Sequence, residues 1–314
     1  MGEMAFSDLQ RQMFELYGAG HYAEALALVT REAEHFPGEA WRLSQWRVCL
    51  ASRAGETALA IRILQEALDA GLWYVEERLR ADDDLQPLQG NPEYERLVAR
   101  SVRRAAQAQA EARPELLTLP PEGGRPHSGS PLLMALHGNA ENAGTTAPFW
   151  QPATGQGWLV GLAQSSQVAG SGAFVWNDRN LGEREVSALY QGLAAQHKID
   201  PRRVMLGGFS MGGQLAVWMA LRQAILVRGF VAVAPWVPEI ESWIGAVQGA
   251  KGLGLRGTII VGDRDDDCFA GAQALAGLLD AEGIACELQI VPGLDHEYPA
   301  DFPARLERAL KAIK

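Results

Sequence analysis

Hydrophobic periodicity divides the chain in two. From Phe6 to about Arg113 apolar residues recur every three or four positions, glycines separate the segments, and no alternating pattern intervenes, so helices are predicted throughout. Beyond that point short apolar runs take over: Leu132–Leu136, Trp158–Ala163, Val204–Gly208, Gly229–Ala234, Thr258–Val261 and Cys286–Val291. Between them lie helix-like stretches around Gly182–His197, Met211–Gln223, Phe269–Ala281 and Phe302–Ile313. Strands that are apolar at every position belong to a sheet covered on both faces, and the intervening helices supply the covers. The pattern therefore predicts an all-α N-terminal domain followed by an α/β domain with a doubly wound, mostly parallel sheet. The stretch Arg113–Pro131 is rich in Pro, Gly and Ser, with Glu-Leu-Leu-Thr-Leu as a candidate edge strand. It places the boundary between domains 1–112 and 113–314.

The helical half repeats itself. Gly20-His21-Tyr22-Ala23-Glu24-Ala25 returns as Gly55-Glu56-Thr57-Ala58-Leu59-Ala60, 35 residues later, close to the ~34-residue period of tetratricopeptide helix pairs. Ala25 and Ala60 fall where two helices of a pair approach closely. The first copy, with its Gly-x-Tyr-x-x-Ala core and Pro37, resembles the tetratricopeptide family; the second has Thr57 in place of the aromatic. Leu72–Val98 would then be a degenerate third pair. Such repeats imply either a surface for a protein partner or a domain that only packs.

Composition narrows the partners. A formal net charge of -10 repels phosphate backbones and anionic lipid, which argues against nucleic acid. One basic stretch, Arg96–Arg104, has apolar residues at helical spacing and reads as a solvated helix face. No apolar run is long enough to span a bilayer, and the first seventeen residues carry polar and acidic side chains where a signal peptide needs an apolar core. The three cysteines are scattered and lack metal-ligand spacing, so free thiols in a cytoplasmic protein are expected, with neither metal nor organic cofactor.

The chemistry centres on Gly208-Phe209-Ser210-Met211-Gly212. Gly-x-Ser-x-Gly alone is a weak signal, but an apolar run precedes it and a helix-like segment follows, as a nucleophile elbow requires. A serine on so tight a turn needs neighbours without bulk, which Gly208 and Gly212 provide. Its hydroxyl needs a base. Among six histidines, His21 and His35 lie in the repeats, His127 in the linker, and His197 at a helix end. His137 precedes Gly138 after a strand; His296 occupies the loop between the last strand and the last helix, where the order Ser…Asp…His expects the base. The acid should follow Gly257–Val261, where Asp263, Asp265, Asp266 and Asp267 compete.

These motifs, with His137-Gly138, give residues 115–314 a resemblance to the carboxylesterase, phospholipase and acyl-protein thioesterase branch of the α/β-hydrolases. That resemblance implies Asp265, the second Asp of Gly-Asp-x-Asp, as the acid, with Asp263 and Asp267 as rivals; the family usually follows it with proline or an apolar residue, where this chain has Asp266. Oxyanion donors are expected from the backbone N–H groups of Met211 and Asn139, the latter followed by Ala140 where the family often has glycine. Trp150, Trp176, Trp236 and Trp243 fall in loops or loop edges, and Trp176 and Trp236 are the candidates for a substrate pocket. The expected activity is cleavage of small-molecule esters or thioesters through an acyl-enzyme on Ser210. The alternatives are a non-catalytic scaffold that uses the helical repeats, or a peptidase on the same fold.

Overall fold

Three glycines set the layout of the first half. Gly20, Gly55 and Gly71 adopt φ of +77°, +80° and +93°, and each closes a helix by the same pair of bonds. Gly20 N–H donates to the Tyr17 carbonyl and His21 N–H to Leu16; the pattern repeats at Gly55/Glu56 and at Gly71/Leu72. This termination satisfies the last carbonyls of a helix while reversing the chain, and the left-handed residue it needs is most cheaply glycine. The computed structural model describes Met4 and residues 6–124 and 129–313; His127 and its neighbours in the linker lie outside the described residues.

The helices of this half are α1 (Phe6–Gly18), α2 (Tyr22–Glu32), α3 (Ala40–Arg53), α4 (Thr57–Asp69), α5 (Glu76–Arg80) and α6 (Pro92–Glu111). Ala25 and Ala60 are fully buried. The expected third pair is reduced: α5 is a single turn, followed by a 3₁₀ segment at Asp83–Leu88. In the basic stretch Arg96 and Arg103 are exposed, as expected of a solvated face, while Arg100 and Arg104 have a further role. Arg100 pairs with Asp69 at 2.7 Å, and Arg100 and Arg104 donate to the Leu68 carbonyl at the end of α4. These cations cap a helix C-terminus, where the dipole favours positive charge.

The chain forms two compact units, one of Met1–Ala112 with Val168–Ala173, the other of Arg113–Gln167 with Phe174–Lys314. Strands are β1 (Glu115–Leu119), β2 (Ser130–Leu136), β3 (Leu159–Gln164), β4 (Gln167–Gly170), β5 (Ala173–Val175), β6 (Ile199–Phe209), β7 (Gly229–Val233), β8 (Arg256–Gly262) and β9 (Ala285–Val291). Seven of them form one sheet in the order β1-β3-β2-β6-β7-β8-β9. All its pairings are parallel except that of the edge strand β1 with β3. β2 and β7 are buried at every position, as strands covered on both faces must be. The covers include α7 (Ala143–Trp150), α8 (Arg179–Gln196), α9 (Met211–Arg222), α10 (Ile244–Gly249), α11 (Phe269–Ala281) and α12 (Phe302–Lys311). The α/β sheet and the helices ahead of it are as the sequence predicts. Among the described residues no helix is long and apolar enough to cross a membrane.

Register decides where side chains emerge. Leu136 pairs with Gly208, Phe209 with Val233, Val233 with Ile260, and Gly262 with Val291. The carboxyl ends of these strands thus align along one edge of the sheet. Strand order reverses between β2 and β6, and the crevice at such a reversal is where open α/β sheets bind ligands.

Candidate active site

Ser210 stands at that reversal, between β6 and α9. Its φ of 52° and ψ of -118° are unusual for a residue with a Cβ, and its neighbours hold it there. Ser210 N–H donates to the Val233 carbonyl at 2.9 Å, while its own carbonyl accepts from Trp236 N–H at 3.2 Å and from Gln214 N–H at 2.9 Å. The space around it is tight. A Cβ on Gly208 would lie 2.3 Å from the Gly212 backbone, and one on Gly212 would lie 2.3 Å from the His137 carbonyl oxygen. The bond from Gln214 opens α9, leaving Met211 N–H in the first turn, where helix donors lack intrahelical acceptors.

Asp265 follows β8 and is 2% exposed. Its Oδ1 accepts from Cys268 N–H at 3.1 Å, and its Oδ2 lies 2.8 Å from His296 Nδ1. Asp263, the rival nearest the strand, is engaged elsewhere: its Oδ1 accepts from Gly293 N–H at 2.6 Å and fixes the loop that carries His296. The structure thus brings His296 to Asp265. The imidazole also packs on the ring of Phe209, the residue before Ser210 in the chain, with centroids 4.8 Å apart.

The loop after β2 is braced from several sides. His137 is fully buried, and burial pushes its pKa down to about 4, so the ring is neutral. Its Nε2 accepts from Ser165 N–H at 3.2 Å, which leaves Nδ1–H to donate to the Gly138 carbonyl at 2.8 Å. Gly138 N–H donates to Glu141 Oε2 at 2.8 Å. Between them Asn139 is followed by Ala140 in the left-handed region, φ 57°, a conformation that glycine adopts more cheaply. His137 is therefore built into the loop by both ring nitrogens.

Trp176 does not line a pocket. It is 2% exposed; its Nε1–H donates to the His137 carbonyl at 3.0 Å and its ring stacks on the imidazole at 4.8 Å. Trp150 and Trp243 are core residues as well. Trp236 keeps 39% of its surface exposed, next to Ser210. The aromatic surface near the histidine has another source: Phe149 stacks on Tyr298 at 3.9 Å, and Tyr298 on Phe209 at 4.7 Å. The Tyr298 hydroxyl accepts from Trp150 Nε1–H at 3.0 Å. Sequence reasoning passed over Phe149, Tyr298 and Glu141, although Tyr298 stands only two positions after His296.

Comparison with known proteins follows the same lines. Residues 5–109 match a family described as the A/B hydrolase-like N-terminal domain. The crystal structure of an uncharacterized protein from Bacillus cereus ATCC 10987 is 30% identical over 99% of both chains, with a TM-score of 0.58. That of esterase PE8 is 20% identical over 64% of this chain and 100% of that one, with a TM-score of 0.54. Acyl-protein thioesterase 2 of Zea mays is 15% identical over 63% of this chain and 98% of its own, with a TM-score of 0.50. At such identities the last two share the fold alone. No curated protein matches the sequence. The chain belongs to the family of the Bacillus cereus protein; its first 109 residues include an A/B hydrolase-like N-terminal domain, and the sheet that follows has the α/β-hydrolase fold.

Proposed function

We propose that the protein is a serine hydrolase of carboxylic esters or thioesters. The observation that carries this reading is the Asp265–His296 pair at 2.8 Å on the sheet edge where Ser210 is held in a strained turn. Strain of that kind persists only where the surroundings over-determine it, and it gathers at functional sites.

Each group has a role in acyl transfer. Ser210 Oγ attacks the carbonyl carbon, and His296 Nε2 takes its proton and returns it to the leaving alcohol or thiol. Asp265 accepts from Nδ1–H, which keeps Nε2 free as the base and stabilises the imidazolium once it forms. Met211 N–H and Asn139 N–H receive the developing oxyanion, a contribution of about 10²–10³ in rate per donor. Water, activated by the same histidine, then releases the acid. None of these steps calls for a metal or an organic cofactor. Trp236, whose N–H bonds the Ser210 carbonyl, and Phe149, stacked on Tyr298, are exposed aromatics that offer the substrate apolar contact. The cysteines, none in a disulfide, fit a reducing compartment such as the cytoplasm.

Hydrolysis of p-nitrophenyl esters of graded acyl length, with Ser210→Ala as control, tests this reading. Turnover is expected from the wild type and a fall of at least about 10³-fold from the variant. Wild-type turnover by Ser210→Ala would overturn it. Cleavage of amide analogues at rates comparable to the esters would move the assignment to a peptidase.

A further inference from the structure

One nucleophilic group beside the pair has no part in acyl transfer. Cys268, fully buried, sits at the start of α11, three residues after Asp265. A ligating atom of Asp265, of Cys268 and of His296 all lie within 4.8 Å of one another. The spacing is built rather than incidental: Cys268 N–H is bonded to Asp265 Oδ1, and Phe269 N–H to the Asp265 carbonyl at 2.9 Å. The thiol therefore stays on the carboxylate's side of the turn. His296 is 37% exposed at its side chain, so an ion has a way in from solvent.

We propose that Asp265, Cys268 and His296 form a site for a thiophilic divalent cation, zinc or cadmium, whose binding switches the hydrolase off. A carboxylate, an imidazole and a thiolate are the donor types that borderline-soft cations take, and three protein ligands leave the fourth tetrahedral position to water. Charge balances: the cation's two positive charges meet Asp265 and the Cys268 thiolate. The thiol proton leaves to solvent as the metal–sulfur bond forms. Burial and the nearby carboxylates of Asp265 and Asp267 push this thiol's pKa up, so without a cation it stays protonated; a bound divalent ion reverses that preference.

Inhibition follows from tautomerism. The nitrogen facing Asp265 is Nδ1. Once Nδ1 donates its lone pair to the cation, the ring's remaining proton must sit on Nε2. An Nε2–H imidazole cannot accept the serine proton, and Asp265 is withdrawn from orienting the ring. The inhibition rests on the hydrolase reading above; the metal binding does not.

Both parts are tested by adding cadmium chloride to metal-free protein and following the ultraviolet thiolate-to-cadmium charge-transfer band together with ester hydrolysis. With Cys49, which lies beside Asp82 and Asp84, replaced by alanine throughout, the expected result is a one-equivalent band in the parent and in Ser210→Ala, absent from Cys268→Ala and Cys268→Ser, whose backbone N–H still reaches Asp265. Inhibition, measured against each variant's own metal-free rate, should need at least ten-fold more cadmium in the two Cys268 variants. In that Cys49→Ala background, a band that survives in Cys268→Ala, no band in the parent, or equal sensitivity of parent and Cys268 variants would overturn the proposal. A parent that shows the band yet lacks serine-dependent turnover would sink the hydrolase reading and leave the metal site standing.

Discussion

Around Ser210 the decisive quantity is free space, measured in tenths of an ångström. With backbone atoms 2.3 Å from any Cβ added at Gly212, relief would have to come from main chain, which does not rotate aside. Gly212→Ala is expected to lower stability by at least about 2 kcal/mol and to abolish fluorophosphonate labelling; full labelling of a stable variant would contradict this packing. Ala140 is the opposite case, since its left-handed φ of 57° strains the backbone. An L-residue there gives up about 1 kcal/mol, and glycine recovers part of it after its greater unfolded-state entropy is counted. Ala140→Gly should therefore raise the urea midpoint, by about 0.5 kcal/mol of stability, and an unchanged or lowered midpoint would count against the strain.

Elements show what could be read ahead of the structure and why. Strands β2, β6, β7 and β8 were legible because burial on both faces leaves unbroken apolar runs. The helix ends at Gly20 and Gly55 were legible because a left-handed terminus demands glycine. The short α7, the small hairpin strands β4 and β5, and α10 were not, because three to eight residues hold too little periodicity to stand out. Among the site expectations, spacing put Ser210 on a strand-to-helix turn and His296 on the loop that reaches Asp265, whereas Trp176, expected to line a pocket, is buried. A tryptophan in a loop looks the same on paper whether it faces a ligand or an imidazole behind the loop. Helix α6 adds a prediction of its own. Asn91 Oδ1 accepts from Glu93 N–H at 2.9 Å, so Asn91→Ala should cost about 1 kcal/mol in denaturant unfolding; no change would show that the cap is idle.

For the molecule as a whole, the neutral His137 ties stability to pH. In the unfolded chain this imidazole takes up a proton as pH falls through about 6.5, while in the folded protein burial delays uptake until about 4. Between these values the unfolded state binds more protons, so stability drops as pH falls, by about 3 kcal/mol on reaching pH 4. Wild type and His137→Asn compared by urea unfolding should differ in slope across this window and run parallel above pH 7; parallel lines throughout would refute a neutral buried ring. The sheet's strand order has a kinetic counterpart. Ser210 leaves β6, but Asp265 and His296 follow β8 and β9, and β8 reaches β6 only across β7. The three residues of the proposed triad cannot be placed until four strands, drawn from nearly a hundred residues of chain, have found their positions, and pairings this distant in sequence are slow to form. Chemical competence is then one of the last properties the folding chain acquires, and in refolding experiments labelling of Ser210 should lag behind the recovery of helical signal.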